Sequence, residues 1–312
     1  MKKPLLIIVG PTAVGKTEIS INIAQKLNGE IISADSMQIY KHMDIGSAKP
    51  TLEERAGIPH YLMDEIDPRE DFSVVQFQKK AKQYIDLILK KGKIPIIVGG
   101  TGLYVNSIIY DIDFTKTISN WEFRNKLEKE VQTYGNEYLH KKLEERDPDA
   151  AARIHPNNVK RVIRALEIIE NGESIKDFRS ALVENPDYNY VLIGLMRDRQ
   201  ELYERINKRV DILIKKGLVE EVKKLISLGL NEEDISMKGL GYKEIIKYLK
   251  GMYDFEEAIR ILKRDTRRYA KRQITWFKRY DKIKWFNFNE YSSKVQLEND
   301  IIKYVEGKLN FI

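Results

Sequence analysis

The fold is decided by Leu5-Leu6-Ile7-Ile8-Val9-Gly10-Pro11-Thr12-Ala13-Val14-Gly15-Lys16-Thr17. The first five residues form a continuous apolar run, the pattern of a strand buried on both faces of a parallel sheet. The next eight fit G-x-x-x-x-G-K-S/T in full. Thr17 to Leu27 then sets Ile19, Ile23, Ala24 and Leu27 at helical spacing, so the motif lies between the strand and the helix that a phosphate loop needs. Backbone N–H groups of Gly10, Thr12, Ala13, Val14 and Gly15 can wrap a diphosphate, and the helix N-terminus adds partial positive charge. Lys16 neutralises phosphate oxygens and the Thr17 hydroxyl can hold Mg²⁺. Such a loop reads phosphate, not the group attached to it. It points to a diphosphate-bearing ligand without specifying ATP.

Working outward, Ile31-Ile32 begins a second short strand. Phe72 to Leu89 reads as a helix stopped at Lys91-Gly92-Lys93. Ile94-Pro95-Ile96-Ile97-Val98 is a third buried strand, closed by Gly99-Gly100, with its proline near the strand start where a missing N–H matters least. Strands alternating with helices predict an α/β fold with a P-loop NTPase-like, three-layer parallel-sheet core. The chain then changes character. Trp121–Val131, Tyr138–Glu145 and Asn157–Ile169 read as charged helices with no strand pattern, so residues 111–185 are expected to form a helical insertion domain. Residues 1–110 and 186–312 are expected to form the core and its C-terminal helices. Tyr190 to Leu195 returns to strand character. Glu201–Leu228, Tyr242–Leu249 and Phe255–Lys278 read as helices, and Ile283 to Phe286 as a last strand before a tail helix.

Composition bounds the function. The chain has 312 residues and a net charge of +7, too modest for a histone-like nucleic-acid binder but compatible with a local basic surface. Hydrophobic residues make up 42%, enough for a sizeable core. With no cysteine there is no disulfide, thiol nucleophile or thiolate zinc site, and the composition suits a reducing compartment. Met1-Lys2-Lys3 before a five-residue apolar run is too weak for a leader, and no run approaches the ~20 residues of a membrane helix. The expectation is a cytoplasmic, monomeric protein that does not engage membrane.

Asp35-Ser36-Met37-Gln38-Ile39-Tyr40 follows the second strand. Strand C-termini converge on the ligand in parallel α/β sheets, which puts Asp35 near the phosphate loop. A carboxylate facing phosphate needs a task, either holding Mg²⁺ through water or accepting a proton from a nucleophile; capping a following turn is the plainer alternative. Gly99-Gly100-Thr101-Gly102-Leu103-Tyr104 permits close backbone approach, with Thr101 able to donate to a leaving oxygen, unless it is an ordinary turn. The third strand lacks the terminal acid many ATPases set beside Mg²⁺; Asp64 is the nearest substitute. Lys160, Arg161 and Arg164 fall at helical spacing, as do Arg205 and Arg209. From Arg260 to Lys284, eleven basic and two acidic residues give a net +9. Arg260, Lys263/Arg264, Arg267/Arg268 and Lys271/Arg272 recur as one helical stripe, interleaved with Tyr269, Trp276 and Phe277. That suits an RNA backbone and unpaired bases, or else a solvated helix with its aromatics in the core.

These segments, with Met43-Asp44-Ile45-Gly46-Ser47-Ala48-Lys49-Pro50, Ile154-His155-Pro156-Asn157-Asn158, Arg164-Ala165-Leu166-Glu167, Gly239-Leu240-Gly241-Tyr242 and Lys271-Arg272-Gln273-Ile274-Thr275-Trp276, resemble the bacterial tRNA dimethylallyltransferase family. The likeness runs in order from about residue 4 to 286. It implies transfer of a dimethylallyl group from dimethylallyl diphosphate to N6 of adenosine 37, beside the tRNA anticodon, with Mg²⁺ as cofactor and the anticodon stem-loop as partner. It implies that Asp35 accepts the proton of N6, and that Thr101 and Arg209 assist the departing diphosphate. It places tRNA contacts at Asp35, Ser36, Met37, Gln38, Arg124, Lys160, Arg161, Arg164, Lys238, Tyr242, Lys271, Arg272, Gln273 and Trp276. A nucleotide kinase, a prenyltransferase of free adenine nucleotides, or a non-catalytic RNA-binding protein could carry the same phosphate loop. None of the first two accounts for the basic C-terminal helix.

Overall fold

The computed structural model describes residues 2–112, 121–172 and 183–309. Segments 113–120 and 173–182, which fall within the expected insertion, lie outside the described residues. The chain divides into two compact units, one of Met1–Asp111 with Glu184–Ile312 and one of Ile112–Val183.

The larger unit is built on six parallel strands: β1 (Lys3–Val9), β2 (Gly29–Ala34), β3 (His60–Tyr61), β4 (Ile94–Gly99), β5 (Tyr188–Met196) and β6 (Lys284–Asn287). They lie in the order β3-β2-β4-β1-β5-β6. The apolar run of β1 is explained by its place. It pairs with β4 on one edge and β5 on the other. Leu5, Ile7 and Val9 pack into the apolar cluster on one face, Leu6 and Ile8 into that on the other. No position faces water, so none is polar. Helices α1 (Lys16–Lys26), α2 (Val74–Lys90) and α3 (Gly102–Ile109) belong to this unit. Ile19 and Ile23 of α1 join the Leu6 side, while Phe77, Ala81 and Ile85 of α2 join the Leu5 side, which completes three layers.

The second unit holds α4 (Trp121–Tyr134), α5 (Asn136–Arg146), α6 (Pro148–Arg153) and α7 (Val159–Glu170) around a core of its own, including Leu127, Leu139, Leu143, Val162 and Leu166. The sequence pattern did not separate α6, which Asp147 caps by accepting from the Ala150 N–H at 2.8 Å, with Pro148 in its first turn.

After β5 come α8 (Arg199–Lys215), α9 (Leu218–Ser227), α10 (Tyr242–Leu249), α11 (Phe255–Phe277) and α12 (Lys294–Glu306). The single helix expected over 201–228 is therefore two. Gly217 adopts φ 97°, a left-handed conformation that ends α8 and redirects the chain. The apolar spacing continues across the break because Leu218, Val222 and Leu225 face the same cluster as Val210. Among the described residues, no helix is long and apolar enough to cross a membrane.

Candidate active site

Val9 and Ala34 each pair in register with Gly99, so β1, β2 and β4 end at one level. The Gly10–Thr17 loop, Asp35 and Thr101 follow these three ends directly. The Thr101 N–H donates to the Ala34 carbonyl at 3.2 Å, and Thr101 Oγ1 accepts from the Ser36 N–H at 3.2 Å.

The Gly10–Thr17 loop is braced from several elements. Lys16 Nζ donates to the carbonyls of Gly10 and Pro11, both at 2.9 Å. Arg205 Nε donates to Ala13 O at 2.9 Å and Arg197 Nε to Val14 O at 3.0 Å. The Arg197 guanidinium also lies 3.7 Å from the ring centre of Phe288, a cation–π contact. Burial pushes the Lys16 pKa down to about 8; Asp35 acts against that shift and Arg209 adds to it. Arg209 is depressed for the same first reason, burial, again opposed by Asp35. Arg209 makes no hydrogen bond or ion pair with the described residues, so its guanidinium donors are uncommitted.

Asp35 Oδ1 accepts from the N–H of Met37 at 2.9 Å and of Gln38 at 3.4 Å, so the turn-capping alternative is present in the geometry. Oδ2 makes no hydrogen bond to the described residues, which leaves one carboxylate oxygen for chemistry. Asp35, Ser36, Met37, Arg209, Lys238 and Arg272 line a cavity of about 390 Å³. Thr12 borders it too, and much of the remaining wall is apolar: Tyr40, Phe72, Ile206, Val210, Leu213 and Leu262. A cavity with both linings suits a ligand that joins a short hydrocarbon to an anionic group.

Two features of this site had no sequence signal of their own. Tyr269 reads in sequence as one aromatic of the basic stripe, but it lines the cavity. Burial raises the pKa of its hydroxyl to about 12. The Glu221 carboxylate accepts from three successive backbone N–H groups, Asp44 at 2.9 Å, Ile45 at 2.7 Å and Gly46 at 2.9 Å, and from the Tyr242 hydroxyl at 2.9 Å. Gly46 and Ser47 form part of the cavity wall, so Glu221 holds that wall in place.

Several expected tRNA contacts occupy other places. Tyr242 is fully buried, because a phenol inside the core needs a partner for its hydroxyl and Glu221 supplies it. Gln273 is 6% exposed and bonds to the loops at Thr12 and Gly100. Gln38 is held between Ser33 and the Ser47 carbonyl. Trp276 Nε1 donates to the Tyr280 hydroxyl at 3.2 Å, and Arg279 lies over its ring. In the second unit, buried Glu167 takes Arg124 in a bidentate pair at 2.9 and 2.8 Å and also binds Arg164, whereas Lys160 and Arg161 are exposed. The basic stripe is not uniform. Lys263 reaches Asp211 at 2.6 Å, Arg267 reaches Asn207 at 2.6 Å, and Arg264 and Arg268 share Asp265. Lys271 and Lys278 are exposed with no ion pair among the described residues. Asp64 is taken up by Lys49 and Arg55. Among the described residues, no three His, Asp or Glu side chains are grouped to hold a metal. The exposed Thr17 hydroxyl is the one expected ligand at the loop.

Residues 38–280 match the family model described as IPP transferase. The chain is 61% identical over 311 residues to a tRNA dimethylallyltransferase of Alkaliphilus metalliredigens, covering 99% of each, and 56% identical to that of Clostridioides difficile, covering 99% and 100%. In structure it resembles the full-length tRNA isopentenylpyrophosphate transferase of Bacillus halodurans, with a TM-score of 0.76, 47% identity and 99% and 97% coverage. It also resembles a eukaryotic dimethylallyltransferase acting on tRNA, with a TM-score of 0.81, 29% identity and 97% and 80% coverage.

The Glu221 arrangement gives a direct test. Glu221→Ala strands three backbone N–H groups and a buried phenol, and urea unfolding should show a loss of roughly 2–4 kcal/mol. Tyr242→Phe removes one of the four bonds and should lose about 1 kcal/mol. A Glu221→Ala curve superimposable on wild type would mean that the 44–46 loop stands without the carboxylate.

Proposed function

The chain belongs to the IPP transferase family, and we propose that it transfers a dimethylallyl group from dimethylallyl diphosphate to N6 of adenosine 37 in the anticodon stem-loop of tRNA, releasing diphosphate. One observation carries the reading: an Asp35 with a free oxygen and an uncommitted Arg209 share a partly apolar cavity beside the loop that holds Lys16. The named relatives support the same reaction.

The chemistry follows from these groups. The adenine leaves its stack to enter the cavity. The N6 lone pair attacks C1 of the dimethylallyl group as the C1–O bond breaks, and the bonding electrons leave with the diphosphate. Asp35 Oδ2 takes the proton that N6 loses. Thr101 Oγ1 already accepts from Ser36 N–H, so its own hydrogen can go to the leaving oxygen. Lys16 and Arg209 neutralise charge that grows on the diphosphate. Thr17 would hold Mg²⁺ through its hydroxyl, and the ion would supply further neutralisation of the diphosphate. The exposure of Lys271, Arg272 and Lys278 supports their meeting RNA phosphates. The absence of cysteine supports a protein working in the reducing cytoplasm.

The direct assay gives the protein bulk tRNA, labelled dimethylallyl diphosphate and Mg²⁺. Label should appear in a prenylated adenosine beside the anticodon. Asp35→Asn should lower kcat by about 10²–10⁴ with tRNA affinity little changed. Efficient prenylation or phosphorylation of AMP, with tRNA inert, would instead favour a free-nucleotide enzyme.

The Lys16 pKa sets a pH limit. In the free protein this lysine loses its charge as pH rises through about 8. Hence kcat/KM for the diphosphate should fall above pH ~8, while kcat holds to higher pH because a bound anion raises the lysine pKa. Lys16→Arg stays charged, so any activity it retains should lack that limb.

RNA binding should be salt-sensitive. Changing Lys271 and Lys278 together to Ala should weaken tRNA binding and lower the log–log salt slope by about 1–2. An unchanged slope would assign these lysines to an ordinary solvated surface.

A further inference from the structure

We propose that Gln273 is a positioning residue for the diphosphate loop rather than a reader of RNA; this rests on the reading of the Gly10–Thr17 loop given above. Its Oε1 accepts from the Thr12 N–H at 2.9 Å, and its Nε2 donates to the Gly100 carbonyl at 3.0 Å. One amide thereby ties the loop after β1 to the loop after β4, which carries Thr101. An amide offers two acceptor and two donor sites. Here one acceptor and one donor site are committed to the loops, and the residue is almost fully buried. Little of its edge remains for a nucleobase, although its neighbours Lys271 and Arg272 are exposed on the same helix.

The fit is steric as well as polar. A Cβ on Gly100 would stand 2.1 Å from Gln273 Nε2, so the absence of a side chain at Gly100 is what lets the amide in. The two positions form one device. Through Thr12 it sets the path of the diphosphate loop, and through Gly100 it sets the height of Thr101, whose Oγ1 in turn holds the Ser36 N–H beside Asp35. The helix that presents cations outward therefore reaches inward to hold the reaction centre together.

The test separates diphosphate binding from RNA binding. Gln273→Met keeps length and removes both hydrogen bonds. Gln273→Glu keeps the acceptor for Thr12 but turns a carboxylate oxygen toward the Gly100 carbonyl. Gly100→Ala pushes the amide out from the other side. Inorganic pyrophosphate with Mg²⁺, measured by calorimetry, probes the loop, and an anticodon stem-loop RNA probes the other surface. All three variants should weaken pyrophosphate binding and raise KM for dimethylallyl diphosphate by about tenfold or more, with RNA affinity within about twofold. Circular dichroism at the assay temperature checks that each is folded, and any one folded variant suffices. Loss of RNA affinity with pyrophosphate binding intact would make Gln273 an RNA contact and overturn the proposal, as would no change in either. If wild type transfers no dimethylallyl group yet the variants still lose pyrophosphate, the proposed reaction fails and this assignment stands.

Discussion

The register of three parallel strands governs the rest of the site. β2, β4 and β1 are neighbours, and Ala34, Gly99 and Val9 reach the sheet's edge together. Whatever follows those residues must share a small volume. The sequence supplies a glycine-rich loop after β1, an aspartate after β2 and a threonine after β4. No long-range search is needed to assemble them, because each is one or two residues past a strand whose position is set by hydrogen bonds and burial on both faces. The cavity walls are then added by elements from the C-terminal half, chiefly α8, which brings Arg209, and α11, which brings Tyr269 and Arg272.

That division explains what the sequence made legible. β1 and β4 were plain because each carries a run of apolar residues covered on both faces, whereas β2, with buried Glu30 and Ser33, showed only its Ile31-Ile32 pair. The break at Gly217 was not, since an isolated glycine is tolerated within a helical pattern and the apolar spacing resumed beyond it. The helix Gly102–Ile109 was masked by the glycines before it, and His60–Tyr61 is too short to leave a period. The places of Lys16, Asp35 and Thr101 were legible because each follows closely on the end of a strand. Glu221 was not, because its partners are mostly backbone N–H groups, which every residue but proline carries. Tyr242 and Gln273 show a related limit. A motif marks which stretch of helix matters, but not which of its side chains turn inward. Here Lys271 and Arg272 are exposed and Gln273, one residue on, is buried.

Net charge reads differently once partners are known. The overall +7 conceals a net +9 in residues 260–284 and −2 in the remainder. Yet much of that +9 has structural work. Lys263 and Arg267 join α11 to α8, and Arg264 and Arg268 lean on Asp265. Exposed ion pairs of this kind contribute little stability each, but they lower the number of cations free to release counterions from RNA. The effective basic surface is therefore narrower than the stripe in the sequence, and lies nearer the end of α11, where Lys271, Arg272 and Lys278 are exposed.

The reaction centre itself is electrostatically unbalanced. Lys16 and Arg209 both lose hydration by burial, Arg209 disfavours the charge on Lys16 and Arg205 that on Arg209, and Asp35 is the acid that opposes the shift for both. Were Asp35 paired directly with either cation, the site would be neutralised and its free oxygen occupied. Instead Arg209 makes no ion pair, and one oxygen of Asp35 stays free. A diphosphate carries enough negative charge to restore both cations, so the desolvation that costs stability in the free protein becomes selectivity for an anion of that size.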